Sequence, residues 1–134
     1  MNRTLLSGAI ERLATEYGYD FQQGEGAYYP TTVCRYPSAF LSQPKFVSIE
    51  GRKHGRITYE TSLSLARQGA KLSPNERNAA LAEMEQEVID IFTELSKSDK
   101  IAVIDHLTIT PSADVVDNHG AIVIVAEAKV TTIF

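Results

Sequence analysis

Residues 51–65, Gly-Arg-Lys-His-Gly-Arg-Ile-Thr-Tyr-Glu-Thr-Ser-Leu-Ser-Leu, decide the fold. Ile57, Tyr59, Leu63 and Leu65 alternate with Thr58, Glu60, Ser62, Ser64 and Ala66. A period of two sends successive side chains to opposite faces, so the run predicts a strand with one face buried. Upstream, Phe46, Val47 and Ile49 form a second extended run, and Gly51 and Gly55 bracket the loop between the two. Extended runs joined by a short glycine-bracketed loop predict an antiparallel hairpin.

Downstream the period changes. Gln68 to Leu72 connect the strand to residues 73–97, which open Ser73-Pro74-Asn75-Glu76. The serine hydroxyl can accept the Glu76 amide while the Glu76 carboxylate reaches back to the serine amide, and proline occupies a position whose N–H has no helical partner. Leu81, Met84, Val88, Ile91, Phe92 and Leu95 follow at three- and four-residue steps, a single apolar stripe. Glu83, Glu85, Glu87, Asp90 and Glu94 make an acidic flank beside it, and Lys97 complements the carbonyl end of the helix. A shorter stripe, Leu5, Leu6, Ala9, Ile10 and Leu13, predicts a helix of about three turns that Asn2 or Thr4 can cap and that ends near Gly18.

Residues 19–44 are punctuated by Gly24, Gly26, Pro30, Pro37 and Pro44, and only Thr32 to Tyr36 reads as a strand. Toward the end, Ile101, Val103, Leu107 and Ile109 hold one phase of a strand over 101–110. After a turn-rich segment, Ile122, Ile124, Ala126, Ala128 and Val130 hold one phase of the last strand. Val123 and Val125 make that strand apolar on its second face as well. Helix, hairpin, helix and a final strand pair define an α+β fold: a mostly antiparallel sheet with a long hairpin and two helices packed on it, one domain over 1–134.

Composition narrows the function. The 134 residues are 43% hydrophobic and 22% charged, ordinary for a globular chain. The one cysteine, Cys34, excludes an internal disulfide, and neither a signal-like start nor a membrane-length apolar run is present. Nine Lys/Arg against six Asp/Glu in residues 1–72 give +3; four against eleven in 73–134 give −7, which accounts for the net −4. An acidic total argues against a sequence-specific nucleic-acid binder. The asymmetry can orient contacts between copies, although an acidic helix face explains it equally well.

No catalytic or metal signature emerges. His54, His106 and His119 match no zinc spacing. Asp105-His106 with Asp114, Asp117 and His119 can meet if the last two strands pair, as metal ligands or as a base with its orienter. Turn chemistry explains Asp117-Asn118-His119-Gly120 more simply. Tyr28, Tyr29 and Tyr36 in the aromatic 19–44 region can stack on a base or ligand, or plug a loop onto the sheet. Arg52, Lys53, His54 and Arg56 form a basic hairpin tip suited to an acidic neighbour or to phosphate.

The N-terminal helix, the hairpin ending in residues 57–65 and the Ser73-Pro74-Asn75-Glu76-Arg77 cap together resemble tail terminator and minor tail proteins of long-tailed bacteriophages. The ending Val130-Thr131-Thr132-Ile133-Phe134, after the 117–120 turn, adds to the resemblance. It implies a virion structural protein of a phage or prophage without catalytic residues or cofactor. It would form a ring, six-membered by the resemblance, at the end of the tail tube beside head–tail connector proteins. Such a protein passes from host cytoplasm into the virion tail and has no membrane partner. The contact expected between copies sets Arg52, Lys53 and Arg56 on a neighbour's Glu83, Glu87 and Asp90, with Val123 and Val125 as further apolar contact. A small-molecule or nucleotide-binding module using residues 19–44 stands as the alternative, and an enzyme built on Asp105, His106 and His119 as a third.

Overall fold

The computed structural model describes residues 2–24, 37–51, 54–69, 71–111 and 122–134. In chain order these form α1 (Asn2–Glu16), β1 (Asp20–Gly24), β2 (Ser38–Ser42), β3 (Lys45–Glu50), β4 (Arg56–Arg67), α2 (Pro74–Ser96), β5 (Ile101–Pro111) and β6 (Ile122–Ile133). The six strands make one sheet ordered β1-β2-β4-β6-β5, with β3 also paired to β4. Only β1–β2 is parallel; the other pairs are antiparallel. The α+β expectation holds.

The hairpin is longer than the sequence suggested. β2 pairs with the second half of β4 (Ala39↔Leu65, Leu41↔Leu63) and β3 with its first half (Phe46↔Tyr59, Ile49↔Ile57). Residues 38–50 are thus one limb, bent at Gln43-Pro44, where proline removes a ladder donor. β1 and β2 were not foreseen as strands, and the expected strand at Thr32–Tyr36 lies outside the described residues.

Both helices lie against one face of the sheet. The capping box forms as expected: Glu76 N–H donates to Ser73 Oγ (3.2 Å), and Ser73 N–H donates to the Glu76 carboxylate (3.2 Å). Burial then selects Met84, Val88, Ile91, Phe92 and Leu95, with Leu81 packed against the core. On α1, Leu6, Ile10, Leu13 and Ala14 face inward, while Leu5, expected in the stripe, is exposed. Gly18 ends α1 at φ 87°, donating to Thr15 O, while Tyr19 N–H donates to Ala14 O, a paired closure that needs a left-handed residue. Asn2 does not cap; its amide donates to Thr132 Oγ1 (2.8 Å), and Thr132 in turn donates to Ile57 O (3.0 Å).

Opposite the helices' core residues stand Leu63 and Leu65 of β4 and Ile122, Ile124, Ala126, Ala128 and Val130 of β6, the phase expected for both strands. β5 departs from expectation. Register shifts between Ile101 and Val103 and between Asp105 and Thr108 each reset its alternation. Ile104, Leu107 and Ile109 therefore pack on the core while Val103 turns outward.

Candidate interaction surface

The cover over the sheet stops part-way along the hairpin. At the boundary, the Arg3 guanidinium donates to Pro44 O and lies over the Tyr59 ring, 5.2 Å from its centroid. Phe46 meets the same ring edge-on, with centroids 6.3 Å apart. Beyond this point every residue of β3 is exposed. Phe46, Val47 and Ile49 are 55%, 42% and 56% accessible, a concentration of apolar surface that a finished monomer rarely leaves open. The arm is nevertheless ordered by its ends: Gly55 and Phe134 exchange backbone hydrogen bonds (3.3 and 3.0 Å).

Of the expected basic tip, Arg56 is exposed opposite Glu50, while Arg52 and Lys53 lie outside the described residues. The acids of the expected surface also bond within the chain. Arg67 Nη1 donates to Glu83 Oε2 (2.9 Å), and its other terminal nitrogen pairs with Glu87 Oε1. Tyr19 donates its hydroxyl to Glu87 (3.0 Å) and accepts from Arg67 Nε (3.4 Å). Burial opposes the Arg67 charge, but the bonds to Tyr19 and Glu83 and the Glu87 carboxylate outweigh it and raise its pKa. Burial also pushes the Tyr19 phenol up to about 12. Glu83 and Glu87 therefore bind α2 to the sheet within the chain, and Asp90 accepts from Gln86 (2.9 Å). Arg67 was missed from the sequence, yet its signal was there: it continues the Leu63, Leu65 phase and so had to face the helices.

Val123 is covered in the single chain. It is 4% accessible within the single chain, and Val125 is half-buried, so the last strand's second apolar face is not an open patch. Asp105 and His106 are both exposed; His106 sits at φ 56° in the second irregularity of β5, where the strand kinks. Asp114, Asp117 and His119 lie outside the described residues, as do Tyr28, Tyr29 and Tyr36. Among the described residues no three acid, histidine or cysteine side chains gather to hold a metal. A cleft of about 390 Å³ beside α1 is lined by Arg3, Thr4, Glu11, Gln23, Gln43 and Pro44. Its arginine is already committed to Pro44 O and Tyr59.

No protein-family model matches the sequence, and no curated protein matches it. No helix among the described residues is long and apolar enough to cross a membrane.

Proposed function

We propose that this chain is a structural component of a long-tailed phage tail, a tail terminator or minor tail protein that assembles with its own copies and seats on the end of the tail tube. The observation supporting this reading is the uncovered half of the hairpin. Small-molecule sites draw polar groups into a concave, mostly apolar pocket. Here the uncovered apolar side chains instead lie on β3, at the margin of a four-stranded stretch of the sheet, the kind of surface that a neighbouring subunit covers. A head-to-tail contact must close into a ring or grow into a filament, and finishing a tube calls for closure. Six copies follow from the resemblance, and assembly in the host cytoplasm before incorporation into the virion follows from the role.

Arg67 holds Glu87 and touches Glu83 within the chain, so on this reading a neighbour's basic residues meet α2 at its exposed acids, Glu83 among them. Light scattering on the protein alone and mixed with purified tail tubes tests the reading. Binding to tubes, with a mass equal to a small closed number of copies, is the expected result. A protein that never binds tubes, and whose melting temperature rises with a nucleotide or another small ligand, would be the ligand-binding module instead.

A further inference from the structure

We infer that β3 is a docking edge for a second copy of this chain, the two β3 strands pairing antiparallel about a two-fold axis so that the sheets join. Among the described residues β3 pairs only with β4, and all six of its residues are exposed. An open edge with apolar side chains is a template for another strand.

The occupant follows from charge. On the face away from the helices, register partners run Asp105, Lys129, Glu60 and Lys45 across β5, β6, β4 and β3. All four are exposed, and their signs alternate from strand to strand. This row ends at the open edge on a cation. Five residues along the same strand, Arg56 and Glu50 make a second row, which ends on an anion. Antiparallel placement of a second copy with its Glu50 beside Lys45 continues the first row, and the two-fold axis makes the same pairing continue the second. The same register sets Phe46 against Ile49 of the second copy, twice, on the helix side of the sheet. Both side chains are more than half exposed in the single chain. The register shift between Phe46 and Ser48 takes Val47 out of the alternation, and with Ser48 at the two-fold axis the strand Lys-Phe-Val-Ser-Ile-Glu is complementary to itself when reversed. A parallel pairing would put lysine beside lysine and glutamate beside glutamate, which opposes association.

Such a contact uses the same patch on both copies and closes at two. It does not rest on the tail reading: it takes up the exposed β3 residues that a head-to-tail neighbour would otherwise cover, so the two contacts are alternatives for one surface.

Sedimentation equilibrium from micromolar to millimolar protein tests the pairing, on wild type, Lys45→Glu, Glu50→Lys and an equal mixture of the two variants. Wild type should show a reversible monomer–dimer equilibrium. Each variant, checked for folding by circular dichroism, should raise the Kd at least about tenfold, since like charges then face each other twice. The mixture should return toward the wild-type Kd, since each row again meets the opposite sign. A zero-length carbodiimide cross-link between Lys45 and Glu50 in wild type supplies a readout that needs no variant. The two residues lie roughly 13 Å apart along one strand, so that link must join two chains. A wild type that stays monomeric throughout the range overturns the inference. So do variants that dimerise as tightly as wild type, or a mixture no tighter than its components. Tail-tube binding by the same variants keeps the two readings apart: tube binding without dimers defeats only this inference, and dimers without tube binding defeat only the tail assignment.

Discussion

The two halves of the long hairpin are built from similar residues and live in different surroundings. In the inner half, Leu41, Leu63 and Leu65 are fully buried under α1 and α2, with β1 alongside. In the outer half, Phe46 and Ile49 occupy the same face of the same ladder and are open to solvent. Intrinsic strand preference cannot account for the difference, because the β-formers Phe46, Val47, Ile49, Ile57, Thr58 and Tyr59 gather in the outer half, whereas the buried inner half is mostly Ser, Leu and Ala. Cover does: the inner half owes its stability to packing, and the outer half keeps its shape through the ladder to β4 and β6 and the closure at Gly55. Residues of one type should therefore matter to folding in one half and to association in the other.

The sharpest break of this contrast is Leu63→Ala, which removes a fully buried side chain from the middle of the core. It should cost about 2–5 kcal/mol by urea denaturation, through lost burial and the cavity left behind. Gly55→Ala comes next, since an added Cβ would lie 2.1 Å from Phe134 Cζ and 2.5 Å from Glu50 O. The ring can swing away but the backbone oxygen cannot, so on the order of 1–3 kcal/mol should be lost. Recovery of only part of that loss in Gly55→Ala with Phe134→Ala would identify the backbone clash as the residual cost.

Arg67→Ala should cost about 1 kcal/mol, because it leaves the half-buried Glu87 with the Tyr19 hydroxyl as its donor. The same cluster carries a pH signature. An unfolded tyrosine ionises at its ordinary value of 10.0, whereas folded Tyr19 holds its proton to about 12. Its contribution is thus fully present below pH 10 and is lost as pH rises through 12. Tyr19→Phe should remove that part of the alkaline decline, leaving a shallower stability curve over the window. The smallest effect belongs to the outer half: Ile49→Thr should leave stability within about 0.5 kcal/mol of wild type. A loss comparable to that of Leu63→Ala would show that the outer half is covered within the monomer after all.

Long periodic segments were readable because their cover is local to the pattern. The stripe on α2, its capping box and the alternation in β4 and β6 each state which face is inside. β1 and β2 gave no such statement. Asp20-Phe21-Gln22-Gln23-Gly24 has few β-formers, and Ser38 to Ser42 sit between two prolines; β2 is held by β4 and β1 in turn by β2. β5 misled because each bulge inverts the phase, so Val103, correct by counting from Ile101, lands outside. At the candidate surface, Phe46 and Ile49 were visible as strand residues, but their exposure was not, since it depends on where α1 and α2 end. The alternating charge rows became visible only with the register, because Asp105, Lys129, Glu60 and Lys45 are far apart in the chain.

The kinks in β5 carry a consequence of their own for polymerisation. A strand with two register shifts and a left-handed residue at His106 offers a broken ladder to anything approaching its outer side. An edge broken twice, once with a left-handed residue, resists further pairing more than β3, whose ladder shifts register only once, between Phe46 and Ser48. Level with the joined β3 strands the outermost strand of each copy would be β5, with β1 at the sheet's other margin, so growth through β5 would terminate instead of propagating into a cross-β fibril. The irregular strand would then act as a chain stopper on its side of the sheet, letting the apolar β3 edge exist without unlimited growth through β5.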